Sequence, residues 1–357
     1  MRRLPLIILV IGTGAFVSAQ QTQQVERQKG LVQSLLNAED KIESQAKRLT
    51  EWLGQLQKGK PLNPAQEVLI LREVEDGLKP VPIMGGQLVP QLEQGELDQF
   101  QALSENQQKM LLDRAASVAQ IEILAGETPL PRGTGFVVGK DLIATNCHVL
   151  ALIARQLADG TWKLRSDVRA HFSDGADHDA STEFAITAIA AMPSTPGLDL
   201  ALLRVSTVSL DGKSALPKGL ALRPGKLVAT WPPGKGMPIA LVGYPRISTS
   251  TQSNLQQLNK LGRFAKLYSP GAVMEVSTIR DVDILNHIAG TDEGSSGSPI
   301  FSLDTFEVIG VHNCCTAAGA APPASLPCAQ ILAAAAKRNH AIAASSILSN
   351  ETLKPLF

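Results

Sequence analysis

Three residues in the second half of the chain could together do chemistry that none could do alone. Ser296 stands in "GTDEGSSGSPIF", residues 290–301, His148 in "LIATNCHVL", and Asp199 at the start of "LDLALLRV". Hydrolysing an amide near neutral pH needs an activated nucleophile, a base and a site for the oxyanion. A serine hydroxyl attacks poorly until a histidine takes its proton, and that histidine needs a carboxylate to orient it. The three occur in the order His, Asp, Ser, separated by 51 and 97 residues. Asp199 lies beside an apolar run, where a carboxylate requires a hydrogen-bonding partner. Pro299, Ile300 and Phe301 follow the serines at once, so the glycine-serine stretch reads as a rigid turn and not as a flexible linker.

Other chemistries fit less well. An α/β-hydrolase needs G-x-S-x-G with its acid and histidine downstream, but Ser298 takes the last glycine position and little chain follows. A cysteine nucleophile at Cys147 would stand beside His148, with the two side chains diverging along a strand. "HFSDGADHDAS" gathers His171, Asp174, Asp177, His178 and Asp179; it reads as a solvated loop and not as a metal site. There is no CxxC pair for structural zinc. No metal or cofactor is expected.

These residues must be held by elements, and from Val118 onward the elements read as strands. "SVAQIEIL", "GTGFVVG", "DLIATNCHVL", "FAITAIAAM", "LDLALLRV", "MPIALVGYP", "GAVMEVSTI", "SPIFS" and "FEVIGVHN" are short, β-rich and bounded by turn formers. Many short strands without long helices between them predict an all-β barrel or sandwich. A short helix is expected around 346–356, and the polar stretch 248–257 reads as a surface loop.

"GTGFVVGKDLIATNCHV", "LDLALLRV", "VGYP" and "GSSGSPIF" resemble the trypsin-like (chymotrypsin-fold) serine proteases, especially their bacterial members. The resemblance runs from about Val118 to Leu348. It implies a mainly β fold, a double antiparallel β-barrel of chymotrypsin type, here preceded by an α-helical N-terminal region. It further implies that Ser296 attacks and forms an acyl-enzyme, that His148 is general base and then acid, and that Asp199 orients His148. The N–H groups of Gly294 and Ser296 would form the oxyanion hole. Ser295 stands where many animal members carry an aspartate that pairs with a newly cut N-terminus, so that route of activation is not expected. Ser298 replaces a glycine, as in bacterial forms.

The same resemblance speaks to the substrate pocket. Gly290 occupies the place of trypsin's pocket-floor aspartate, so a preference for Lys or Arg is not expected. Thr291 and His312 match positions that bind the substrate carboxylate in glutamyl endopeptidases, which implies an acidic residue before the scissile bond (P1). A hydroxyl and an imidazole can both donate to a carboxylate. Asn313 belongs to the same pocket. Cys315 stands where a glycine normally lets the substrate backbone pair as an extra strand.

The chain has 357 residues, 44% of them hydrophobic, with 33 basic and 33 acidic residues. Zero net charge gives no support to nucleic-acid binding; the expected partner is a protein or peptide substrate. Residues 1–19 read as a signal peptide, with Arg2 and Arg3, an apolar run Leu4–Ile11 and the small-residue site Val17-Ser18-Ala19 before Gln20. The run is shorter than the roughly 20 residues of a membrane span. No stable anchor is expected, and the protein would be exported, periplasmic or secreted, of bacterial type. Export permits disulfides; among Cys147, Cys314, Cys315 and Cys328, a bridge from Cys314 or Cys315 to Cys328 is favoured.

Residues 20–116 form the helical region and 117–357 the protease domain. Leu35, Ile42, Leu49 and Leu56 recur every seven residues, Ala38 and Trp52 fall between them, and Gln45 breaks the pattern. The seam predicts a helical hairpin or coiled coil. Asn63 with Gln66, and Ser104 with Gln107, are capping-box patterns, and "LKPVPIMGGQLVP" between them reads as a connector. The region is read as an intramolecular packing unit, a self-association or partner-binding module, or a prodomain. A protease-like scaffold with little turnover, acting through these helices, is the competing reading of function.

Overall fold

The computed structural model describes residues 21–36, 43–70 and 78–89 in part, then 103–126, 128–174, 179–224 apart from 196, 236–245, 265–314 and 339–357. Residues 1–19, expected from sequence to be a signal peptide, the stretch 248–257 and most of the loop around Cys328 lie outside the described residues.

The described strands are β1 (Val81–Met84), β2 (Gln87–Leu88), β3 (Val118–Ala125), β4 (Thr128–Val137), β5 (Leu142–Thr145), β6 (Ala154–Gln156), β7 (Trp162–Leu164) and β8 (Val168–His171). They continue with β9 (Glu183–Ala191), β10 (Ala201–Val205), β11 (Met237–Gly243), β12 (Leu267–Ile279), β13 (Val282–His287), β14 (Pro299–Ser302), β15 (Val308–Cys314) and β16 (Asn339–Ala343). The named helices are α1 (Glu43–Gln57), α2 (Glu105–Ala115), α3 (Cys147–Ile153) and α4 (Ala344–Ser349), with a 3₁₀ turn at Lys354–Leu356.

The strands close into two six-stranded antiparallel barrels. The first runs β10-β5-β4-β3-β8-β9. The second runs β11-β14-β15-β16-β13-β12 and is closed by pairing of β12 with β11. Period-two alternation explains the interior of the first: Ile121, Val137, Ile143, Phe184 and Leu203 point inward together. A separate cluster joins Val118, Phe136 and Leu202 to Val242, Phe301 and Val311, so one apolar layer holds the two barrels against each other.

The helical region packs on the second barrel. Leu35, Leu49, Trp52 and Leu56 of the seam share a buried cluster with Ala272 and Ile288; Ala38 lies outside the described residues, and so does Ile42. Both capping boxes form. Ser104 Oγ accepts the Gln107 N–H at 3.3 Å while Gln107 Oε1 accepts the Ser104 N–H at 3.0 Å. Asn63 and Gln66 exchange the same pair of bonds at 3.0 and 2.9 Å.

Two local readings are corrected. The expected connector holds a hairpin, β1–β2, and β1 is an added strand on the barrel, with Val81 opposite Tyr268 and Pro82 opposite Leu267. Cys147 and His148 lie on the short helix α3 and not on a strand, because β5 ends at Thr145 and Asn146 turns the chain. Cys147 is disulfide-bonded. The favoured bridge to Cys328 falls on side chains outside the described residues.

Candidate active site

Strand register brings together residues far apart in sequence. Thr145, at the end of β5, lies opposite Ala201, at the start of β10. His148 follows the first by three residues and Asp199 precedes the second by two, so the pairing sets them side by side. Asn146 Nδ2 donates to the Asp199 carbonyl at 2.9 Å and locks the two corners. Asp199 then clasps the histidine twice. Its Oδ1 accepts the His148 backbone N–H at 3.0 Å, and its Oδ2 lies 2.7 Å from His148 Nδ1.

The clasp sets the electrostatics. Asp199 is 1% exposed. Burial of His148 works against its protonation, but the Asp199 charge and hydrogen bond outweigh it, and the imidazole is raised above its ordinary pKa. The proton on Nδ1 leaves Nε2 as the lone-pair nitrogen, the tautomer a general base needs.

Ser296 sits on the other barrel, in the turn entering β14. Gly294 and Gly297 flank it with φ of +97° and +90°, a region side chains resist. A Cβ on Gly297 would lie 2.0 Å from the Thr134 carbonyl oxygen. The turn is stitched to β4 of the first barrel at that residue. Thr134 N–H donates to the Ser296 carbonyl and Thr134 Oγ1 to the Gly294 carbonyl, both at 2.8 Å. The Tyr244 N–H donates back to Thr134 Oγ1 at 3.0 Å. Within the turn, Ser295 N–H donates to the Asp292 carbonyl and Ser295 Oγ accepts the Asp292 N–H, at 3.0 and 3.2 Å.

Among the described residues, neither the Gly294 nor the Ser296 N–H meets an acceptor, and no hydrogen bond joins Ser296 Oγ to His148 Nε2. Catalytic hydrogen bonds of this kind commonly tighten only when substrate is bound. Two unspent amides in a fixed turn are the geometry that receives an oxyanion.

The expected pocket residues fall around the same turn. His312 N–H donates to the Ser298 carbonyl, and the His312 carbonyl accepts the Gly297 N–H, both at 2.9 Å, so β15 holds His312 and Asn313 beside the Ser296 turn. Thr291 Oγ1 and both side-chain polar atoms of Asn313 are buried without a hydrogen-bond partner among the described residues. Gly290 and Thr291 lie in the irregular stretch between the end of β13 at His287 and the turn that begins at Glu293.

His312 also continues inward. His287 Nε2 lies 3.1 Å from His312 Nδ1, and the Ala289 N–H donates to His287 Nδ1 at 3.2 Å. These bonds assign both tautomers. His287 Nδ1 accepts, so its proton is on Nε2 and is donated to His312 Nδ1, and the His312 proton is on Nε2. His287 is held down to about 3 by burial and by the His340 charge. Burial and the charges of His287, His340 and His148 hold His312 well below its ordinary value, opposed only by the His340 backbone. Both rings are neutral at pH 7.

Sequence reading did not find Thr134, Thr145, His287 or His340. Nothing local marks the two threonines. Three of only six histidines converge here, but their sequence positions, 287, 312 and 340, show no motif.

Two closed antiparallel barrels with a buried His–Asp pair on one and a serine in a glycine-pinned turn on the other define the chymotrypsin-type serine peptidases. The chain belongs to the trypsin-like peptidase domain family, whose model matches residues 133–311. It is a serine peptidase. Among solved structures it is similar to the active form of the Rv3671c protease from M. tuberculosis, at 19% identity over 68% of this chain and 83% of that one, with a TM-score of 0.41. It is similar also to an inactive form of the same protease, at 20% identity over 68% and 90%, with a TM-score of 0.39. Among the described residues no helix is long and apolar enough to cross a membrane, and no group of three or more His, Cys, Asp or Glu could hold a metal.

Proposed function

We propose that the chain is an exported endopeptidase in which Ser296 attacks the scissile carbonyl, His148 takes and returns the proton, and Asp199 orients and stabilises the imidazolium. The observation that carries this reading is the double clasp of Asp199 on His148 beside a turn whose Gly294 and Ser296 amides are unspent. A carbonyl oxygen drawn to those two N–H groups gains charge as Ser296 Oγ bonds to its carbon, and each donor contributes about 2.7–4 kcal/mol in the transition state. The proton on His148 passes to the departing amine, leaving an acyl-enzyme. Water, deprotonated by the same Nε2, then releases the acid. A fluorophosphonate probe tests this: wild type should label and Ser296→Ala should not. A wild type that fails to label would sink the reading.

The pocket supports a preference for an acidic P1 residue. A buried carboxylate needs donors. Thr291 offers an unpartnered hydroxyl, and the assigned tautomer gives His312 an Nε2–H donor while the ring is neutral. A carboxylate bound there would favour protonation of His312, so the preference for Glu over Gln should strengthen as pH falls. A peptide-library cleavage profile tests it. Cleavage after residues other than Glu or Asp, unchanged in His312→Ala, would refute it. Export rests on the pattern Arg2 to Ala19 and predicts a mature protein starting at Gln20, read by intact mass.

A further inference from the structure

Gly290 has no side chain, so the depth of the pocket at this point depends on what lies behind it. That neighbour comes from the helical region. A Cβ built on Gly290 would lie 3.1 Å from the Leu78 carbonyl oxygen and 3.8 and 3.9 Å from the Pro80 ring carbons Cγ and Cδ. Leu78 is 1% exposed, and its side chain belongs to the buried cluster that joins Leu49, Trp52 and Leu56 to Ala272 and Ile288. Ile288 is two residues before Gly290, and its N–H donates to the Ala272 carbonyl at 3.1 Å.

The stretch is tied at its other end as well. Pro80 leads into β1, which pairs with β12, and the Ile83 N–H donates to the Lys266 carbonyl at 2.9 Å. In the following turn the Gly86 N–H donates to Asp174 Oδ2 at 3.0 Å, and the buried Lys266 ammonium pairs with Asp174 Oδ1 at 2.9 Å. This part of the chain leaves only if a strand pairing breaks and an apolar cluster opens. The nucleophile turn, meanwhile, is ordered by Ser295 and Asp292 without any new N-terminus.

We propose that Leu78 and Pro80 form the back wall of the P1 pocket, so that the helical region is a specificity-determining part of the working enzyme and not a discarded propeptide. The proposal rests on Ser296 as nucleophile, because that reading makes Gly290 a pocket residue. The wall sets how long a P1 side chain is accepted. It does not touch the reacting atoms, so it acts on substrate discrimination and leaves the nucleophile's reactivity alone.

The test uses the full chain and peptides that differ only at P1. Pro80→Ala, which removes the ring facing Gly290, and Leu78→Ala, which loosens the anchor of the segment that presents the Leu78 carbonyl, should each shift the kcat/KM ratio of longer to shorter P1 residues by about ten-fold, the size of a methylene effect in an apolar pocket. Fluorophosphonate labelling, which needs no P1 group, should keep its wild-type rate. Leu56→Ala, in the same cluster but away from Gly290, should lower the melting temperature and leave the P1 ratio alone. If Leu78→Ala does not fold, Pro80→Ala, on a half-buried ring, still reads the wall. An unchanged ratio in the wall variants, or an equal shift in Leu56→Ala, overturns the proposal. A labelled species that begins after Met84 and keeps the full P1 profile does so too. Loss of all labelling in wild type would instead remove the Ser296 reading.

Discussion

Replacing Asp199 with Asn changes almost no volume and removes two things at once. The carboxylate accepts from the His148 backbone at Oδ1 and from Nδ1 at Oδ2. An amide has one oxygen. If that oxygen keeps the backbone N–H, its NH₂ faces Nδ1, which must then accept, and the imidazole proton moves to Nε2. The nitrogen that should take the Ser296 proton becomes a donor. In the chymotrypsin-type triad this error costs about 10⁴ in kcat, or about 5 kcal/mol of transition-state stabilisation at roughly 1.4 kcal/mol per decade. The pH profile must move as well. In the proposed mechanism activity needs neutral His148 and falls as pH drops through its pKa, which the Asp199 charge and hydrogen bond raise against burial. In Asp199→Asn both supports vanish and burial remains, so the acid limb of the residual activity should shift down, below the wild-type limb. The assay is kcat/KM of a chromogenic peptide from pH 5 to 9, on protein whose fold is checked by circular dichroism. A loss under ten-fold, or an acid limb that stays in place, would refute the assignment of Asp199.

Three further outcomes are expected. Thr134→Val keeps the shape but loses the hydroxyl bonds to Gly294 and Tyr244; it should lower kcat/KM by about 10²-fold through misplacement of the turn and cost about 1–3 kcal/mol of stability, read by urea unfolding. Glu122 is buried on the first barrel, where burial and Glu183 raise it to about 7 against the pull of Arg169. The unfolded chain releases that proton near 4.5, so the carboxyl costs stability as pH rises toward 7. Glu122→Gln should therefore stabilise at pH 8 by at most about 3 kcal/mol and do nothing at pH 4; a gain of equal size at both pH values would contradict this. His287 refuses a proton down to about 3 while the unfolded chain accepts one near 6.5, so wild-type stability should fall as pH drops below 6.5 and the slope should flatten in His287→Gln.

The parts read correctly from sequence are those set by neighbours along the chain. The capping boxes at Asn63 and Ser104 form because donor and acceptor are three residues apart. The strands of the first barrel follow alternation, and the serine turn announces itself through Gly294 and Gly297. The proposal of His148, Asp199 and Ser296 as a triad likewise starts from residue type and order along the chain. Local reading went wrong at Cys147 and His148, which an apolar run assigned to a strand, although Asn146 turns the chain into a helix.

What only the tertiary structure decided depends on what covers each face. Alternation puts Glu122 and His171 on the outer side of the first barrel, yet both are buried there, and burial is what makes Glu122 a reluctant acid. Pairing of Thr145 with Ala201 brings His148 and Asp199 together across a gap of 51 residues. Packing sets His287 edge-on against His312 and lays Leu78 behind Gly290. A sequence states which groups can donate, accept or avoid water. Only long-range register and packing state which of them meet, because a hydrogen bond or an apolar contact depends on distance in space and not along the chain.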